Sequence, residues 1–129
     1  CHIELDAQAE VALQVEGDME LLRLIFSNLI NNAIKYSPRW QRVALTLRQD
    51  NDTVRVSVRD WGVGVPESEQ GRLFTRFFRA STAQGIPGCG IGLALVKELV
   101  QMHHGSIEVE SSEGNGAMFT VTLPLRQPD

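Results

Sequence analysis

The sequence contains little cysteine, and its cysteines form no recognisable site. Cys1 and Cys89 are the two cysteines in 129 residues, and they show neither a CxxC pair nor the spacing of metal ligands. This usage argues against a cysteine-based metal centre and fits a reduced, cytosolic setting best. The chain also begins without an initiator methionine, so we expect it to be a fragment of something longer.

Long hydrophobic runs and an excess of positive charge are missing as well. No apolar run approaches the roughly 20 residues needed to cross a bilayer, and no signal peptide is visible. The net charge of -4 argues against a nucleic-acid partner, since basic patches supply most of that affinity. A hydrophobic fraction of 43% and this length predict one soluble domain over residues 1–129.

Strict alternation of apolar and polar residues predicts the strands. Residues 42–50 and 53–60 alternate cleanly around a turn-prone link, which predicts a hairpin. A second hairpin is predicted around "EGNG" at residues 113–116. Two more short strands are predicted at residues 2–7 and 10–17.

Apolar residues at helical spacing predict two main helices. The first covers residues 19–36, with Asp18 as N-cap and Pro38 ending it, and the second ends at a C-cap, Gly105. Residues 66–78 predict a shorter helix, followed by a loop rich in Gly, Ser and Pro. Adjacent hairpins with two main helices predict an α+β two-layer sandwich whose helices cover one face of a mostly antiparallel sheet.

One candidate cluster lies on the first helix. Asn28, Asn32 and Lys35 fall at i, i+4 and i+7, so they share one helix face. Asparagine is a poor helix former, and a solvated face usually carries Glu, Lys and Arg instead. Amides with one lysine suit a metal ion and phosphate oxygens, although a merely solvated polar face remains the alternative.

Three other clusters are rich in glycine. Asp60 ends a predicted strand before Gly62 and Gly64, where an ordinary turn is the simpler interpretation. A glycine-rich loop before a helix is a phosphate cradle in principle; here its members are Gly88, Gly90 and Gly92. It is neither a Walker loop nor a convincing Rossmann fingerprint. The fourth cluster is a hairpin turn followed by a returning strand, with Gly114, Gly116 and Thr120.

The order of these clusters resembles the catalytic and ATP-binding domain of sensor histidine kinases, in the superfamily shared with DNA gyrase and the mismatch-repair ATPases. The resemblance covers residues 3–125. The segments that match the family's N, G1, F, G2 and last glycine boxes are, in order, "NLINNAIKYSP", "DWGVGVP", "LFTRFFRA", "GCGIGLALV" and "GNGAMFT". The family has the Bergerat fold, a two-layer α+β sandwich with a mixed, mostly antiparallel sheet, which agrees with the predicted layout.

The resemblance implies a role for each matching residue. Asp60 would accept a hydrogen bond from the adenine amino group, and Gly62 and Gly64 would let the backbone pass close to the base. Asn32, with Asn28, would hold Mg²⁺ against the triphosphate of ATP. Residues 66–89 would form a lid over the nucleotide. The remaining implied nucleotide contacts are Lys35 at the phosphates, Tyr36 near the sugar or base, Val65, Arg76 or Arg79 from the lid, Gly88, Gly90, Ile91, Gly92, Leu93 and Thr120.

Further predictions concern one aromatic residue of the lid and two positions that depart from the family pattern. Phe74 is better explained as an anchor that ties the lid to the core. Trp61 stands where the family usually has a small or polar residue, which predicts a bulkier side to the adenine pocket. Cys89 replaces a small hydroxyl residue, and neither change removes a ligand group.

The resemblance also implies how the phosphate is used. The related ATPases carry a water-activating glutamate at the position of Asn28, and an amide is no general base at neutral pH. Transfer to a partner is therefore favoured over hydrolysis. The acceptor would be a histidine on a separate dimerisation domain, because His2, His103 and His104 are poor candidates, and a response regulator would be served indirectly.

The implied location is a cytoplasmic domain of an inner-membrane sensor protein. Two alternatives remain open at this point. One is an anti-sigma-type serine kinase of the same superfamily, and the other is a degenerate domain that acts by nucleotide binding or protein contact. A helical histidine domain upstream would decide between the histidine and serine kinases.

Overall fold

The computed structural model describes residues 2–7, 19–36, 42–50, 52–76, 78 and 92–124. Both main helices and both predicted hairpins are present. The helices are α1 (Met19–Tyr36), α2 (Glu67–Gln70) and α3 (Gly92–Met102). The strands are β1 (His2–Ala7), β2 (Arg42–Asp50), β3 (Thr53–Asp60), β4 (Ser106–Ser111) and β5 (Ala117–Pro124). The predicted strand at 10–17 and the caps Asp18 and Pro38 lie outside the described residues.

The strands form a five-stranded sheet in the order β1-β2-β3-β5-β4. β1 pairs with β2 in parallel, whereas the other three neighbouring pairs are antiparallel. The mixed, mostly antiparallel sheet predicted from the sequence is therefore confirmed. The β3–β5 pairing joins the two hairpins and sets Asp60 opposite Ala117.

One face of the sheet packs against α1 and α3. Alternate residues of β3 and β5 are buried on this inner face, and Ile25 and Leu29 of α1 cover them. α3 contributes Val96, Leu99 and Val100 to the same core. Helices thus cover the inner face alone of the described layers, as the hydrophobic patterns predict. No helix of the described ranges has the length and hydropathy of a bilayer-crossing segment.

The predicted helix at 66–78 is wrong in length, because α2 ends at Gln70. Gly71, a weak helix former, follows it. The chain then continues through single turns, in which each N–H reaches back three residues, as from Thr75 to Arg72 at 3.0 Å. This path buries Leu73 and places the ring of Phe74 edge-on to Phe119, with 6.2 Å between their centroids. Phe74 therefore packs against the core, and its role as an anchor for the lid stays a prediction.

The C-terminus of α3 corrects the predicted cap. His104, not Gly105, takes the left-handed conformation, with φ 60°. The His104 N–H donates to Gln101 O and the Gly105 N–H donates to Val100 O, both at 3.0 Å, which is a Schellman motif. Gly105 is required for a different reason, because an added Cβ would collide with the Thr122 carbonyl oxygen. The glycine lets the helix end lie directly on β5.

Candidate functional site

Asp60 ends β3 as a carboxylate buried on the inner face. It is 5% exposed, and one of its oxygens accepts a hydrogen bond from the Gly62 N–H at 2.9 Å. The Ala117 N–H also donates to this carboxyl group. Burial raises the pKa of Asp60, while the bonds from Gly62 and Ala117 and the charge of Arg59 act to lower it. The Asp60 carboxyl group is therefore a hydrogen-bond acceptor that backbone donors hold in place and that is largely shielded from water.

The loop after Asp60 and the β4–β5 turn are packed backbone against backbone. Gly64, at φ 68°, could not carry a Cβ without a collision with the Ser112 carbonyl oxygen. Gly116, at φ 78°, would likewise collide with the carbonyl oxygen of Asp60. The sequence predicted clearance for a base at Gly64, and the structure shows that the chain's own packing already requires this glycine. The Gly114 N–H adds a bond to Val63 O at 2.9 Å.

Ser111 and Gln70 connect the same two segments and were missed from the sequence. The Ser111 hydroxyl donates to Gly116 O at 2.6 Å and accepts from the Val65 N–H at 2.8 Å. The Gln70 amide donates to Val65 O at 3.1 Å and to Ser111 O at 2.6 Å. A signal was available for Ser111, because its parity in β4 places a hydroxyl on the face that Ile107 and Val109 share.

The amide row of α1 borders the buried stripe of that helix. Asn28 and Asn32 are half-buried, and Lys35 is exposed. The Asn28 amide nitrogen donates to Leu24 O at 2.8 Å, which leaves its oxygen as the outward acceptor. That oxygen lies beside the start of α3, since a Cβ on Gly92 would be 3.2 Å from it. The structure therefore brings together the first residue of the N box, in the middle of α1, and the last glycine of the G2 box.

The structure describes some of the residues predicted for the lid and the phosphate site, and others lie outside the described residues. Arg76 forms an ion pair with Glu98 of α3 at 3.0 Å, with both side chains more than half exposed. Val65 is buried in the core, and Leu93 packs against it. Arg79, Gly88, Gly90 and Ile91 lie outside the described residues, as does the side chain of Tyr36.

Thr120 and Trp61 lie on the opposite, outer face of the sheet. Thr120 is in register with Ser57, and their hydroxyl oxygens are 3.1 Å apart. The Trp61 ring contacts two guanidinium groups, with Arg42 at 4.2 Å and Arg59 at 4.7 Å from its centroid. The expectation that Thr120 contacts the nucleotide and that Trp61 narrows the pocket is not supported, because strand alternation turns both away from Asp60.

Within the described ranges, no group of three His, Cys, Asp or Glu residues could hold a metal ion. The polar group beside the start of α3 is instead the amide of Asn28, and Asn32 follows it on the same face of α1. Magnesium binds one or two protein oxygens together with waters and phosphate oxygens. The outward oxygen of Asn28 fits that chemistry.

A family model described as "Histidine kinase-, DNA gyrase B-, and HSP90-like ATPase" matches residues 17–127. Among curated proteins, the sensor-like histidine kinase SenX3 of Mycobacterium tuberculosis strain H37Rv is 40% identical over 124 residues. That match covers 95% of this chain and 30% of SenX3. The chain thus spans less than a third of the length of this relative.

Two solved structures have the same fold. The mycobacterial sensor histidine kinase MprB superimposes with a TM-score of 0.83 and 32% identity, covering 98% of this chain and 86% of that one. Full-length ShkA in complex with AMPPNP gives a TM-score of 0.78 and 32% identity, covering 98% of this chain and 26% of ShkA.

Proposed function

Because this chain belongs to the histidine kinase-, DNA gyrase B- and HSP90-like ATPase family, as a sensor histidine kinase catalytic domain, we propose that it binds Mg-ATP and donates the γ-phosphate to a histidine on a separate dimerisation domain. The observation that carries this proposal is Asp60, a buried carboxylate oriented by backbone donors at the end of β3. ShkA, a structural neighbour, was solved with AMPPNP.

Asp60 supplies base recognition in this proposal. A carboxylate only accepts hydrogen bonds, so it pairs with the exocyclic amino group of adenine. Guanine presents a carbonyl oxygen at that position, which would face the carboxylate as a second acceptor and be rejected. Burial strengthens this preference, because no water is available to satisfy the wrong base.

In this proposal the phosphates of ATP are bound by three residues on one face of α1, namely Asn28, Asn32 and Lys35. Of these three residues, Asn28 lies at the N-terminus of α3, where a Cβ on Gly92 would be 3.2 Å from its amide oxygen. The first turn of α3 contains no acidic residue, so its N–H groups and the helix dipole favour the negatively charged phosphates. Asn28 and Asn32 would hold Mg²⁺ through their amide oxygens, and the ion would supply positive charge that neutralises the phosphates.

Asn28 favours transfer over hydrolysis. Its amide nitrogen is engaged with Leu24 O, and an amide cannot remove a proton from water at neutral pH. Water near the γ-phosphate therefore receives no general base from this residue. The phosphoryl group is preserved for an acceptor that approaches from outside.

The acceptor is proposed to come from another domain of the parent protein. His103 is 5% exposed, and its Nδ1 lies 2.8 Å from Leu99 O at the end of α3. His104 takes the left-handed conformation that ends the same helix, and its N–H donates to Gln101 O. Since SenX3 is much longer than this chain, a dimerisation domain and a response regulator are the proposed partners, and a membrane-anchored sensor with this domain in the cytoplasm is the proposed parent.

A calorimetric titration tests the binding step. We expect ATP to bind in the presence of magnesium and to bind more weakly in EDTA, with GTP binding more weakly than ATP in both. A phosphorylation assay with γ-labelled ATP and the parent's histidine-bearing domain added in trans tests the transfer. Acid-labile label on that domain is expected, and its appearance on a serine instead would favour the serine kinase alternative.

A further inference from the structure

We propose that Ser111 is a positioning residue for base recognition, because one hydroxyl orients the peptide group that holds the Asp60 carboxylate. This inference rests on the proposed function, since it names how the adenine acceptor is kept in place. Ser111 itself is bonded to backbone atoms on both sides and is not placed at the nucleotide.

The peptide group between Gly116 and Ala117 lies between the Ser111 hydroxyl and the Asp60 carboxyl group. Its C=O accepts from the Ser111 hydroxyl at 2.6 Å, and its N–H donates to Asp60. A trans peptide group is planar, so its C=O and N–H point in opposite directions and turn together. Fixing the oxygen at Ser111 therefore fixes the direction in which the Ala117 N–H meets the carboxylate.

The same hydroxyl also holds the second donor segment. Gly62, whose N–H donates to Asp60, lies in the loop that ends at Val65. The Val65 N–H donates to the Ser111 hydroxyl at 2.8 Å. One oxygen atom thus ties the loop that contains Gly62 to the turn that precedes Ala117, and its removal lets the two donors move relative to each other.

Gln70 connects the backbone of Val65 to the backbone of Ser111. Its amide group donates to Val65 O and to Ser111 O, so both hydrogens of the amide are used. Gln70 is the last residue of α2, at the start of the predicted lid. The arrangement therefore connects the lid base, the adenine loop and the β4–β5 turn through backbone atoms.

The test compares variants that differ in one hydroxyl. Ser111→Ala removes it, whereas Ser111→Thr keeps it and Ser111→Val has nearly the shape of the threonine without the hydroxyl. Ser112→Ala is the matched control, because the neighbouring hydroxyl of Ser112 bonds only to the exposed Asn115 side chain among the contacts the structure gives it. Arg59, whose charge also acts on Asp60, is unchanged in all four proteins.

We expect Ser111→Ala and Ser111→Val to weaken ATP binding about tenfold, and Ser111→Thr and Ser112→Ala to stay near wild type. We also expect selectivity for ATP over GTP to fall in the first two variants. Carboxyl NMR of the nucleotide-free protein should show a higher pKa for Asp60 in those variants, because a donor that lowers it is misaligned.

The outcomes separate this inference from the proposed function. An unchanged Asp60 pKa and unchanged ATP affinity in Ser111→Ala would overturn the positioning role, as would a loss of stability alone. Equal losses in Ser111→Thr and Ser111→Val would overturn it too. If the wild-type protein does not bind ATP, the proposed function fails, while the pKa comparison in the nucleotide-free variants still decides the role of Ser111.

Discussion

The two ends of the candidate site are built in different ways. At the base end, Asp60, Gly64 and Gly116 are held by backbone hydrogen bonds and by contacts that leave no room for a Cβ. At the phosphate end, Asn28 and Asn32 are half-buried side chains on a helix surface, and a Cβ added to Gly92 would meet only the Asn28 side chain, at 3.2 Å. The base end is fixed before any ligand arrives, whereas the phosphate end has donors that a ligand can still arrange.

We expect this difference to separate two tasks: the base end selects the base, and the phosphate end takes part in phosphoryl transfer. A rigid acceptor discriminates between bases because the wrong base cannot pull it out of place. Phosphates and a metal ion vary in position during transfer, so adjustable amide and ammonium groups suit them better. The comparison predicts that changes at the base end affect folding and base choice, while changes at the phosphate end affect magnesium use and leave folding intact.

The largest effect is expected from glycine substitution. Gly116→Ala should lower the free energy of unfolding by about 3 kcal/mol or more, since it adds a collision with Asp60 O to an unfavourable φ of 78°. Gly92→Ala should change it by less than about 1 kcal/mol. Gly71→Ala, at φ -65° with nothing within 4 Å, should be neutral or stabilising by up to about 1 kcal/mol. Urea unfolding measures all three, and equal losses at residues 116 and 92 would contradict the comparison.

The next effect concerns Asp60→Asn. We expect ATP affinity to fall about 10- to 100-fold, because a charged acceptor becomes a mixed donor and acceptor. Stability should be kept or raised, since a buried carboxylate no longer has to ionise. Calorimetry with an ATP analogue and urea unfolding of the same variant measure both quantities. Unchanged affinity would remove Asp60 from the adenine site.

A smaller effect is expected at the phosphate end. Asn32→Ala should reduce the apparent affinity for magnesium by about 10-fold or more in the presence of ATP, while unfolding stays near wild type. Titrations with and without EDTA measure the difference, with Asn31→Ala on the exposed side of α1 as the control. Magnesium dependence equal to that of the wild type would show that Asn32 is not a ligand.

The smallest effect is a pH dependence of stability that belongs to Asp60. Burial raises the pKa of Asp60 in the folded protein above its ordinary value of 3.8, so the folded state keeps its proton to higher pH than the unfolded chain does. This contribution to stability is therefore lost as pH rises from about 3.8 through the folded-state pKa, and it is constant above that. Unfolding measured across this range should show a falling component in the wild type that Asp60→Asn lacks.

The sequence predicted the elements well because their patterns are local. Apolar periodicity identified α1 and α3, and alternation identified the two hairpins within one or two residues. The length of α2 was wrong, since a tertiary contact between Phe74 and Phe119 redirects the chain after Gly71. Local propensity contains no information about that contact.

The site was predicted less completely because its construction depends on strand pairing. Parity alone could have placed Trp61 on the outer face, because Asp60 shares its face with Val58, and adjacent residues alternate. It could have placed Thr120 there too, opposite Phe119 and Val121. Ser111 required more than parity, since its partners Val65 and Gly116 are known only once β4, β5 and the loop are packed together.

The pairing of β3 with β5 also determines when this site can exist. Asp60 and Ala117 are partners in the sheet although they are 57 positions apart in the chain (117 − 60). Contacts between such distant residues close large loops and therefore form slowly compared with helices and hairpins. In a chain emerging from the ribosome, the proposed adenine acceptor lacks its Ala117 donor until residue 117 is available, so we expect nucleotide binding to begin only after β3 and β5 have paired.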